Sequence, residues 1–148
     1  MTKDSKLSNI LSYDNYSADG PSFTSSIKYL NESKSNLNNK IDHLLSNLDE
    51  EGMNSYISGK INDQYYISIF NELMSSSEMK SDLDNIRASL EKTKKEMNNI
   101  YDVSLEVLNY LSLYSDKWKL EDGEIKFASE DMYNYYIGLV SKVNKKEE

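Results

Sequence analysis

The chain has 148 residues, no Cys, one Pro, five Gly and a formal net charge of −8. That length fits one domain with a core or a slimmer elongated one, and scarce breakers allow long helices. The acidic balance excludes nucleic-acid phosphates and anionic membranes as expected partners. The missing Cys removes disulfides, thiolate metal sites and Cys nucleophiles together. It suits a reducing cytosol, and equally a chain threaded unfolded through a secretion channel. No apolar run approaches the ~18 residues of a membrane span.

Residues 1–21 are rich in Ser, Asn and Asp and end in Gly20-Pro21. They read as a flexible N-terminal arm, either an ordinary tail or an uncleaved export signal. No continuous apolar stretch of signal-peptide type occurs there. Asn15, Ser17, Asp19 and Gly20 match the first half of an EF-hand loop, but its last position needs Glu and holds Ser26, so calcium is not expected. Residues 22–148 then read as a single helical-bundle domain.

A first helix is predicted from Phe23 to Glu50. Ile27, Leu30, Leu37, Ile41, Leu44 and Leu48 share one heptad frame, interrupted by Lys34. Gly52 is expected to end it in the left-handed conformation. A second segment, Met53 to Ser75, carries two apolar rows: Ile57, Ile61, Tyr65, Ile69 and Leu73, and beside them Tyr66, Phe70 and Met74. Such a broad stripe predicts deep packing, and Gly59 and Asn62-Asp63 are places where the helix can break. One serine of Ser75-Ser76-Ser77 is expected to cap the next helix.

The longest helix is predicted from Glu78 to Lys117, about 60 Å at 1.5 Å per residue. Leu83, Ile86, Leu90, Thr93, Met97, Ile100, Ser104, Val107, Leu111, Tyr114 and Trp118 hold one heptad register. A seam this long needs a partner, so Leu90, Met97 and Ile100 are expected to be buried.

WKLEDGEIKF, residues 118–127, then breaks the helical period. Asp122-Gly123 has the signature of a type I′ hairpin turn. It would place Trp118, Leu120, Ile125 and Phe127 on one face, with Trp118 opposite Phe127 and Leu120 opposite Ile125. The like-charged pairs Lys119/Lys126 and Glu121/Glu124 count against it. That face either caps the bundle end or stays open as a binding tip. Ser129 is expected to cap a last helix to about Asn144, with Met132, Tyr136, Leu139, Val140 and Val143 on its apolar face.

The fold class expected is all-α: an elongated antiparallel helical bundle or coiled-coil hairpin, with a small β-hairpin insert before the last helix. His43 is the single His, so no His/Cys metal site or nucleophile–base pair can be assembled. No catalytic, cofactor-binding or metal-binding residue and no cofactor are expected. The 12 Tyr residues suit protein contact surfaces. Trp118, Leu120, Ile125, Phe127, Tyr133 and Tyr136 are the candidate interaction residues. The function expected is a non-enzymatic protein–protein interaction module, structural or linked to a bacterial secretion-type assembly. It would bind a protein partner or associate with itself through the helical seam. It would be cytoplasmic, or exported without a cleavable signal peptide. The alternative is an acidic cytoplasmic inhibitor or regulator that blocks a basic site on a partner.

Overall fold

The structure is a computed structural model and describes residues 5–144. Among them are seven helices and one two-stranded sheet: α1 Ser5–Ser8, α2 Tyr13–Asp19, α3 Thr24–Asn47, α4 Glu50–Ser58, α5 Gln64–Ser75, α6 Ser77–Leu113, β1 Trp118–Glu121, β2 Glu124–Phe127 and α7 Glu130–Asn144. The fold is thus an all-α bundle with a hairpin before the last helix, as the sequence predicts. The chain divides into two compact units. One comprises residues up to Lys34 and from Met97 on; the other is Ser35–Glu96.

Capping side chains set the helix boundaries. Ser12 accepts from Asn15 N–H at α2, Asp49 from Gly52 N–H at α4, and Asp63 from Tyr65 N–H at α5. Ser76 is the serine that caps α6, accepting from Met79 N–H, and Ser129 accepts from Met132 N–H at α7. Each satisfies a first-turn N–H that has no partner inside its helix. The predicted second segment breaks at Gly59–Asp63, where glycine and Asn-Asp weaken the helix, and so becomes α4 and α5.

Gly52 does not end α3. It lies in the first turn of α4, where a Cβ would stand 2.2 Å from the Ser46 carbonyl oxygen. Close backbone approach is the reason for glycine here, and among the described glycines only Gly123 has positive φ.

In the first unit, the expected flexible arm is folded from Ser5 on; residues 1–4 lie outside the described residues. Ile10 and Tyr16 are each 3% exposed, and Lys6 stands over the Tyr29 ring. Asn15 ties the segment down: its amide donates to the Ile10 carbonyl and exchanges hydrogen bonds with the buried Ser26 hydroxyl. The Asp19 carboxylate accepts from Ser25 and Ser26 N–H at the start of α3. Partial burial works against its charge, but the hydrogen bonds from Ser26 and Ser25 outweigh this and hold the carboxyl below its usual range. The polar residues that read as disorder are the ones that fasten the segment.

The core of this unit is formed by Phe23, Leu30, Val107, Leu108 and Leu111, all at 0% exposure, with Tyr16, Tyr101, Val103, Tyr136 and Leu139 around them. The single seam predicted for α6 is too narrow here. Tyr101, Val103 and Leu108 lie off the heptad register and are buried as well, so α6 is covered on more than one side. Lys34, the polar break in the α3 seam, pairs with Asp102.

In the second unit, α3 and α6 run antiparallel: Asp42 pairs with Lys94, and Arg87 donates to the Leu48 carbonyl. The apolar surface is covered less fully than the heptads imply. Ile41 is buried, Leu90 half-buried, and Leu44 and Ile86 about half exposed. Met97 and Ile100, in the first unit, are also half-buried. Nor does α5 pack deeply: it has no buried residue.

Tyr16→Ala should destabilise the first unit by about 3–5 kcal/mol, as removal of a buried ring does. A chain beginning at Pro21 should melt at a clearly lower temperature. Urea unfolding followed by the fluorescence of Trp118 checks the first, and calorimetry the second.

Candidate interaction site

The hairpin forms in the register that its alternation predicts: Trp118 opposite Phe127, Lys119 opposite Lys126, Leu120 opposite Ile125, Glu121 opposite Glu124. Asp122 and Gly123 have φ of 54° and 81°, as a type I′ turn demands. The like charges are tolerated because each lysine pairs along its own strand. Lys119 reaches Glu121, and Lys126 reaches Glu124 at 2.6 Å. Residues two apart share a strand face, so the outer face carries a square of four charges that alternate along each strand and match across the pair. Hydrogen bonding from Lys126 lowers the Glu124 carboxyl below its usual range.

The inner face is a cap on the first unit. Trp118 Nε1 donates to the Leu111 carbonyl oxygen at 2.7 Å. That carbonyl lies in the last turn of α6, where no intrahelical donor reaches it. The indole also stacks on the buried Phe23 ring, with centroids 6.0 Å apart and planes 22° apart, and Phe23 meets Tyr16 edge-on. Trp118 therefore ends α6 from outside the helix, which stops at Leu113 and not at the expected Lys117.

Phe127 extends the cluster. Its ring centroid lies 5.2 Å from Tyr136, 6.3 Å from Tyr133 and 6.4 Å from Tyr110. Tyr136 is buried, and its hydroxyl meets that of Tyr16 at 3.1 Å. Burial raises the Tyr16 hydroxyl far above its usual range, and the neighbouring Tyr136 adds to this. Burial likewise raises Tyr136, against the effect of its hydrogen bond with Tyr16.

Of the six candidate residues, Trp118, Phe127 and Tyr136 thus join one intramolecular cluster. Leu120 and Ile125 are half-buried on the same hairpin face, and Tyr133 is 44% exposed. The open surface lies beside them. A groove between the end of α6 and the start of α7 is lined by Tyr110, Leu113, Tyr114, Met132 and Tyr135, with Lys117 and Asp131 at its rim. Tyr110 packs against Tyr114 at 5.0 Å and Tyr135 at 4.9 Å, and its hydroxyl donates to the Met132 carbonyl. Leu113 is 74% exposed and Tyr135 52%. Sequence reasoning missed this groove. The heptad register places Tyr114 in a seam, and Leu113 and Tyr135 fall off the apolar rows; their position off those rows is the available signal.

A second groove, within the other unit, is lined by Leu48, Met53, Phe70, Met74 and Leu83, with Lys80, Asp84 and Arg87 beside them. His43 is exposed. Among the described residues, no three His, Cys, Asp or Glu side chains gather as a metal site would require, and no helix is long and apolar enough to cross a membrane. The chain matches no protein-family model, no curated protein and no solved structure.

Trp118 emission should be blue-shifted and slowly quenched by iodide. Gly123→Val should shift it to the red and cost about 1–3 kcal/mol, because a β-branched residue is strained at this φ.

The buried tyrosine pair sets an alkaline limit. Both hydroxyls titrate higher in the folded protein than the ordinary value near 10. Above that pH the unfolded chain loses protons that the folded one keeps, so stability falls as pH rises. The melting temperature should be level from about pH 6 to about pH 9 and decline above about pH 10. Tyr16→Phe with Tyr136→Phe should flatten that decline, as a pH series of thermal melts would show.

Proposed function

We propose that the chain is a non-enzymatic protein–protein interaction module, structural or export-linked, and that the α6–α7 groove receives an apolar segment of a protein partner. The observation that carries this reading is the abrupt change of exposure at the end of α6. Leu111 is fully buried, while Leu113, two residues on, is 74% exposed beside Tyr114 and Tyr135. Rigid, amphipathic Tyr side chains bordering apolar ones are characteristic of binding surfaces. The intramolecular aromatic cluster beneath holds them in place, which lowers the ordering cost of binding. Absence of Cys is compatible with export through a channel, without a cleavable signal peptide, and equally with a cytoplasmic role.

The net charge of −8 favours a second reading, an inhibitor or regulator directed at a basic site. Against it, the groove rim carries both signs, Lys117 and Asp131. A photo-crosslinking residue at position 135 should give one discrete adduct in native cells, and none at Lys28 on the exposed face of α3. Contact through the groove should persist at high salt, whereas contact through acidic charge should weaken steeply. Lack of a position-specific adduct would overturn the groove assignment.

A further inference from the structure

Helix α5 carries more apolar surface than its own unit covers. At about 100° per residue, Tyr65, Ile69, Leu73 and Tyr66 fall on one side of the helix, and Phe70, Met74 and Ile67 continue the apolar arc to about 200°. Gln64, Ser68, Asn71, Glu72 and Ser75 fill the remaining arc. An apolar arc of roughly 100° is enough to face one core. The structure divides the arc in two. Ile67, Phe70 and Met74 are half-buried, while Tyr65, Tyr66, Ile69 and Leu73 are 68%, 58%, 46% and 52% exposed.

We propose that this outer row of α5 is a self-association surface, on which two copies of the chain pack α5 against α5 in antiparallel fashion about a two-fold axis. Charge points to a second copy. The protein has a net charge of −8, yet α5 carries a single charged residue, Glu72. Two acidic copies repel one another over most of their surface but meet here almost free of charge. A basic or acidic partner would find no complement on this row; a neutral apolar helix would, and α5 is itself one.

Area points the same way. The exposed parts of these four side chains amount to about 400 Å², taking ~150–250 Å² for a whole ring. An ordinary interface covers ~800 Å² per partner, of which about 60% is apolar. The row therefore supplies most of the apolar centre that such an interface requires. Tyr65 and Tyr66 already pack edge-on with centroids 5.5 Å apart, so part of the surface is ordered before contact. An isologous antiparallel pairing sets Tyr65 against Leu73 of the other copy and brings Ile69, midway between them, close to its own counterpart.

The test uses the full chain at about 100 µM, well above the micromolar dissociation constants expected of an interface this size. Sedimentation equilibrium should give twice 17.1 kDa. Ile69→Glu combined with Leu73→Glu should raise the dimer dissociation constant on the order of 100-fold or more, with the helical circular dichroism retained. The chain has no Cys, so single cysteines report geometry directly, even where the charged variant fails to fold. Ile69→Cys should oxidise to a covalent dimer many times faster than Asn71→Cys, about 160° away around the helix. A species that stays at 17.1 kDa, or equal cross-linking at both positions, overturns the proposal and leaves α5 to a different partner. The adduct at position 135 is read separately, so either result stands without the other.

Discussion

The stack of Trp118 on Phe23 is the contact on which the first unit depends. Phe23 is fully buried and holds φ at 51°, a conformation unusual for a non-glycine residue. Such backbone strain costs about 1–3 kcal/mol, and full burial of the ring contributes a similar amount in the other direction. The ring lies immediately before α3, edge-on to Tyr16 of α2 and flat against Trp118 of β1. Trp118 in turn satisfies the Leu111 carbonyl at the end of α6. One aromatic contact thus joins the chain's first folded segment to the hairpin and the end of its longest helix, and Phe127 and Tyr136 carry the connection on to α7.

The two units divide the work differently. The first has a closed core and leaves open only what borders it, the Tyr110–Tyr135 groove. The second has Ile41 as its single buried apolar side chain among the described residues, and exposes Leu44, Tyr56, Tyr65, Tyr66, Ile69, Leu73 and Ile86. A unit so thinly covered is held by half-buried contacts and helix caps, and local opening is expected to be easier there than around Phe23. Both interaction proposals rest on this uneven covering: one on a surface made rigid by the core below it, the other on a helix whose apolar arc exceeds its covering.

Ion pairs link elements of this fold without adding much to its stability. The pairs Lys34–Asp102 and Asp42–Lys94 join α3 to α6 but are substantially exposed, so each contributes little net energy. They mark where α3 and α6 meet, Lys34 beside Asp102 in the first unit and Asp42 beside Lys94 in the second. On the hairpin the charge square pairs within each strand. It accommodates cross-strand like pairs that simple pairing rules count as unfavourable.

How far the sequence reached depended on the range of the forces involved. The hairpin, its register, a cap within Ser75-Ser76-Ser77, the cap at Ser129 and the break near Gly59 were legible, because each rests on residues a few positions apart: turn dihedrals, alternating side chains, a hydroxyl and a nearby N–H. The folded start of the chain was not legible. Asn15, Asp19 and Ser26 look like solvated polar residues until α2 is set against α3 and their hydrogen bonds close. Nor could periodicity choose between a cap and a tip for Trp118, since its partners, Phe23 and the Leu111 carbonyl, belong to other elements. The pattern of α5 announced a broad apolar stripe but not that half would stay open. Periodicity states which side chains avoid water; only tertiary packing decides how many find cover, because cover is supplied by residues distant in the chain.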